Sequence, residues 1–162
     1  MKLSEHLDGR MAFIELKSAG AEPALGEISA SLSKVCSGCG ERDIRGRLIE
    51  WMKAGSPGLS DGVALPHARC EGLGGSALCL ARSGEGVDFG GGPGQPVRLV
   101  AAFLSPAAGR MGHLAMLARL ARILRQSGVR DRLLEADGPG GMARVFREAD
   151  EAASGNGPAG LE

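Results

Sequence analysis

The run Pro96-Val97-Arg98-Leu99-Val100-Ala101-Ala102-Phe103-Leu104 constrains this 162-residue chain more than any other stretch. It is nearly apolar throughout and closes at Pro106. An extended segment that is apolar on both of its faces must be covered on both, so it predicts the central strand of a sheet. The covers can be read in the same way. Leu25, Ile28, Leu32 and Val35 recur at helical spacing over 22–36, with Pro23 in the first turn and Gly38 and Gly40 at the end. A second helix is expected over 41–54, with Ile44, Leu48, Trp51 and Met52 on one face, broken by Gly55-Ser56-Pro57-Gly58. The clearest helix covers 112–126, where His113, Leu117, Leu120 and Leu124 share a stripe. Shorter ones follow over 129–136 and 140–151. Further strands are expected at 12–16, 63–65 and 76–81, with a short extended piece at 87–89. The fold class is α/β: a mixed sheet of about five strands with helices on both faces, a three-layer α/β/α sandwich. One domain is expected over residues 1–151, followed by a glycine-rich, disordered tail at 152–162.

Charge narrows the function. Nineteen basic side chains balance nineteen acidic ones, so no basic surface for nucleic acid is implied. No apolar run reaches the roughly 18 residues that a membrane helix needs. Met1 to Arg10 carries Glu5 and Asp8 in place of an apolar secretory core. A cytoplasmic location is the expectation. Cys36-Ser37-Gly38-Cys39 is a C-x-x-C, but Cys70 and Cys79 do not supply the second pair that a zinc site needs. The pair also ends a helix pattern, whereas a redox pair opens one after a strand. Reduced structural thiols are the expectation, with no metal.

The chemistry concentrates in Gly58-Leu59-Ser60-Asp61-Gly62-Val63-Ala64-Leu65-Pro66-His67-Ala68-Arg69. Turn formers lead into a short apolar strand, and Pro66, which has no N–H to give a ladder, marks the strand's end or a sheet edge. His67 is thereby set at a strand terminus. A histidine held there can serve as a nucleophile or general base near neutral pH, or it can be an ordinary hydrogen-bonded loop residue. His113 opens the long helix. Free N–H groups and the partial positive charge of a helix N-terminus favour anions and disfavour an imidazolium, so this ring is expected to stay neutral and donate one hydrogen bond. The alternative is a histidine packed at the start of an apolar stripe.

Gly62-Val63-Ala64-Leu65-Pro66-His67-Ala68-Arg69 resembles the phosphorylation-site motif G-[IV]-A-[IL]-P-H-[GA]-[RK] of phosphotransferase-system enzyme IIA domains of the fructose/mannitol/nitrogen-regulatory type. The helix that starts His113-Leu114-Ala115-Met116-Leu117 resembles the family's second histidine-bearing segment. The two helices before residue 55, the Gly55-Ser56 turn, Val87-Asp88-Phe89 and the strand from Pro96 to Pro106 are similar as well, so the resemblance runs from about Met1 to Glu148. It implies a phosphocarrier. His67 would accept a phosphoryl group from a histidine phosphocarrier protein, with His113 close by, and would pass it to a sugar-permease IIB domain or signal to regulatory target proteins. No cofactor or metal is implied; backbone N–H groups, His113 and a cation share the stabilisation of the transferred group. The family usually carries an arginine sixteen residues before the phosphorylated histidine, where this chain has Trp51. Arg47, one helical turn earlier, and Arg110 are the expected replacements, and Ser56 is a third phosphate-stabilising candidate. Trp51, together with Asp61, whose negative charge is expected close to the phosphoryl group, also motivates the alternative, a transfer-impaired regulatory binding module with the same fold.

Overall fold

Helices supply both covers of a five-stranded sheet in the computed structural model, which describes residues 2–55, 61–90, 96–108 and 110–155. The side chains of Arg110 and Met111 are outside that description, as is Ser56, so two of the three phosphate-stabilising candidates fall beyond it. The elements, in chain order, are α1 (Leu3–Leu7), β1 (Met11–Glu15), α2 (Ala21–Val35), α3 (Glu41–Lys53), β2 (Val63–Ala64), β3 (His67–Cys70), β4 (Ala77–Val87), β5 (Val97–Pro106), α4 (Arg110–Arg125), α5 (Ser127–Glu135) and α6 (Gly138–Gly155).

β5 is central. β4 pairs with it antiparallel on one side, and β2 and β3 pair with it parallel on the other; β1 lies parallel to β4 at the far edge. The pleat sends alternate side chains to opposite layers. Leu99, Ala101 and Phe103 face α1, α4, α5 and α6, in one cluster with Leu78, Leu80, Leu120, Ile123 and Phe146. Val100, Ala102 and Leu104 face α2 and α3, in a second cluster with Leu25, Ile28, Leu32, Ile44 and Leu48. Each large side chain so covered contributes about 1.5–3 kcal/mol relative to exposure.

Four differences from the sequence reading have physical causes. β3 exists at all because Pro66 interrupts the edge strand without ending it. Pro66 has no N–H, but its carbonyl accepts from the Phe103 N–H at 2.9 Å, and the register against β5 is the same before and after it. The expected strand at 76–81 runs on to Val87, the first residue of the expected extended piece at 87–89, as one strand, β4, whose polar, glycine-containing middle carries a register irregularity between Arg82 and Val87; Asp88 makes only an isolated bridge to Gly20. α1 has five residues, too few to show a period. α6 continues to Gly155, past the point where a tail was expected; 156–162 lie outside the described residues.

The α2–α3 turn is packed on the turn after β3. Gly74 N–H donates to the Ser37 carbonyl at 3.0 Å. Gly38 has φ of +89°, and a Cβ there would stand 1.8 Å from the Gly72 carbonyl oxygen. Gly38→Ala therefore combines a left-handed alanine with a backbone clash and is expected to cost about 3 kcal/mol or more. Gly46→Ala, in the open face of α3, should instead stabilise by up to about 1 kcal/mol. Urea midpoints of the two variants check both.

Candidate active site

His67 opens β3 immediately after the Pro66 interruption, half-buried at the sheet edge. Its Nδ1 lies 2.7 Å from the Leu65 carbonyl oxygen. A carbonyl can only accept, so Nδ1 carries the proton, and in the neutral ring the free lone pair is on Nε2. His113, in the first turn of α4, is brought to it, with ring centroids 5.7 Å apart. The His113 ring rests on Phe103, 5.5 Å between centroids, and Nδ1 is hydrogen-bonded to the Ser105 hydroxyl. Phe103 and Ser105 are the β5 partners of His67 and Arg69 in the ladder. Four successive alternate positions on two adjacent strands thus build the floor on which the two imidazoles meet.

The environment holds His113 neutral. Burial to 8% exposure, then the neighbouring charges of His67 and Arg69, push its pKa below the ordinary 6.5. When Ser105 donates to Nδ1, the neutral ring presents Nε2–H as a donor. The same shift affects folding. As pH falls below 6.5 the unfolded chain takes up this proton before the folded chain does, so the contribution present above that pH is lost on acidification. His113→Gln should lack that component, and urea midpoints of the two proteins at pH 7.5 and pH 5.5 should therefore converge at the lower pH.

Trp51, at the end of α3, packs edge-on to His67 at 6.3 Å and to Phe89 at 6.3 Å. It is 8% exposed, and its indole N–H is buried with no hydrogen-bond partner among the described residues. An orphaned buried donor costs about 1–3 kcal/mol. Arg47, the described member of the expected cations, is exposed on α3 and lines a cavity of about 410 Å³ with Cys39, Cys70 and Glu71. Its charge acts on the Cys70 thiol, which burial pushes up to about 12. Cys70 points to the layer of α2 and α3, and Arg69 to that of α4. Arg69 and Ser105 are the site residues that the sequence reading did not select. The two-residue period from His67 would have found Arg69, had the strand been extended past Pro66.

The family model for the phosphoenolpyruvate-dependent sugar phosphotransferase system, EIIA 2, matches residues 5–149. The chain belongs to this family. Among its relatives, the PTS system fructose-specific EIIA component of Haloferax volcanii is 35% identical over 104 residues, 64% of this chain and 68% of that protein. Nitrogen regulatory protein IIA-Ntr from Neisseria meningitidis superposes with a TM-score of 0.75 at 26% identity, covering 85% of this chain and 93% of that one. The fold is shared as well with the IIA subunit in the complex of enzyme IIA-mannitol and phosphorylated enzyme IIB-mannitol from Escherichia coli, at a TM-score of 0.67 and 17% identity over 85% of this chain and 94% of that one. No described helix is long and apolar enough to cross a membrane.

Proposed function

We propose that the chain is a phosphocarrier that accepts a phosphoryl group on Nε2 of His67 from a phosphohistidine of a histidine phosphocarrier protein. The observation that carries this reading is the pairing of the rings. His67 is held by the Leu65 carbonyl with its Nε2 lone pair free, and a neutral imidazole stands 5.7 Å away. In the transfer the P–Nε2 bond forms as the donor's P–N bond breaks, and the electron pair of the broken bond returns to the donor imidazole. The transition state is loose and in-line, so the protein's contribution is positioning and charge stabilisation on the equatorial oxygens. His113 would supply one hydrogen bond to those oxygens from Nε2–H. The charged phosphohistidine would then pass its group to a IIB domain, as the Escherichia coli complex joins IIA to phosphorylated IIB, or report phosphorylation state to a regulatory target.

The test is incubation of the purified chain with the phosphorylated histidine phosphocarrier protein. The expected result is one acid-labile, alkali-stable phosphoryl group per chain. A chain that binds the donor and takes no label is the transfer-impaired binding module instead, a reading favoured by an indole at the position of the family's arginine.

A further inference from the structure

A phosphoryl group on His67 would bring two negative charges and three acceptor oxygens into a half-buried site. The described residues offer two groups there whose bonding capacity is unused. Arg69 lies two residues along β3 from His67 and on the same face, since the pleat repeats every two residues. Its ladder partner is Ser105, whose hydroxyl holds His113. The guanidinium is half-buried and has no carboxylate partner among the described residues. Trp51 packs edge-on to the same imidazole and keeps a buried N–H without an acceptor among the described residues. Arginine is suited to oxyanions by its fork of donors, and a desolvated indole N–H gains most from a charged acceptor.

We propose that Arg69 and the indole N–H of Trp51 are the groups that hold the phosphoryl oxygens on His67 in this chain. The inference rests on the phosphocarrier reading and assigns its anion-holding residues. It changes the role of Trp51 from an obstacle to transfer into a donor that stays unsatisfied until the phosphoryl group arrives. Burial first, and then the charges of His67 and Arg69, hold the pKa of His113 below its ordinary value, so that ring stays a neutral donor to the same anion. Arg47, on the cavity beside Cys70, takes no part.

The experiment uses phosphoramidate, a small donor that needs no protein partner. Its P–N bond breaks, ammonia leaves with the electron pair, and Nε2–P forms on His67. Phosphorus NMR follows the rate of labelling and the half-life of the product for the wild type, Arg69→Gln, Arg69→Lys and Trp51→Phe. Arg69→Gln is expected to slow labelling about 10²-fold, with partial rescue by Arg69→Lys. Trp51→Phe is expected to slow it about 10-fold while leaving the melting temperature of the unphosphorylated protein unchanged or raised, because an orphan donor is gone. Phosphorylation should raise the melting temperature of the wild type more than that of either Arg69→Gln or Trp51→Phe. Should Arg69→Gln fold poorly, Trp51→Phe and Arg69→Lys carry the test. Wild type that labels on His67 at the same rate, and with the same melting shift, as all three variants overturns this inference and leaves the phosphocarrier reading intact. Wild type that takes no phosphoryl group from phosphoramidate or from the protein donor overturns both.

Discussion

His67→Gln is expected to take no acid-labile phosphate from a phosphorylated histidine phosphocarrier protein, a fall on the order of 10⁴-fold or more, to the floor of the assay. Glutamine keeps an N–H that can reach the Leu65 carbonyl, so the local backbone stays supported, but its amide has no basic nitrogen. The loss should therefore come without loss of fold, and the melting temperature of the unphosphorylated variant should stay near that of the wild type. The position of the label is fixed by the same hydrogen bond. Nδ1 is committed to a carbonyl that can only accept, at 2.7 Å, so phosphorus–nitrogen coupling in labelled wild type should identify Nε2. Full labelling of His67→Gln would place the acceptor elsewhere in the chain and remove the proposed role of this histidine.

Asp150→Ala is expected to destabilise the fold by about 3–5 kcal/mol, read from urea or thermal unfolding. Asp150 is completely buried, and its carboxylate accepts from the Leu3 and Ser4 backbone N–H groups at 2.9 Å each, from the Ser4 hydroxyl at 3.0 Å and from Arg119 at 3.2 Å. Removing it strands two N–H groups at the start of α1 and takes from the buried end of Arg119 its carboxylate, leaving that guanidinium only the Asp150 backbone carbonyl and the Ser154 hydroxyl. Burial alone would raise its pKa, but the hydrogen bonds from Ser4 and Leu3, with that of Arg119, outweigh burial and hold it below the ordinary 3.8. The unfolded chain therefore binds this proton first on acidification. The carboxylate's stabilising contribution is complete above the unfolded value and is lost as pH falls through the folded one. Asp150→Asn should unfold with a shallower dependence on pH in that acidic window. An equal slope in wild type and Asp150→Asn would show that the charge is not what α1 depends on.

The two faces of the sheet were legible because they are written in short-range periods. Val97 to Leu104 is apolar at every position but Arg98, and both of its faces are covered. The stripes of α2, α3 and α4 have the spacing of one helical face, and those faces are the ones buried. His67 and His113 were legible as separate motifs, each with its own local context. Arg69 was not selected, although it is part of the quoted motif, because a proline was read as the end of a strand. In the fold a proline carbonyl keeps the strand in register, and residues 67–70 continue along β5. α1 had no signal to give. Its five residues have no side-chain cap of their own, and the groups that complete its first turn come from Asp150, 146 and 147 positions away.

Local order along the chain was enough to set the class of fold, the order of most of its elements and the two histidines worth watching, since period and turn chemistry depend on neighbours a few residues apart. Which of the described arginines shares the face of His67 could not be obtained in that way. Arg47 is close to Trp51 in the chain but lines a cavity with Cys70, while Arg69 shares the face of His67 and pairs with Ser105, the residue bonded to His113, through a register set by β5, more than thirty residues later. Pairing of distant strands turns an odd or even position into a direction in space, and that parity exists only once the sheet has formed.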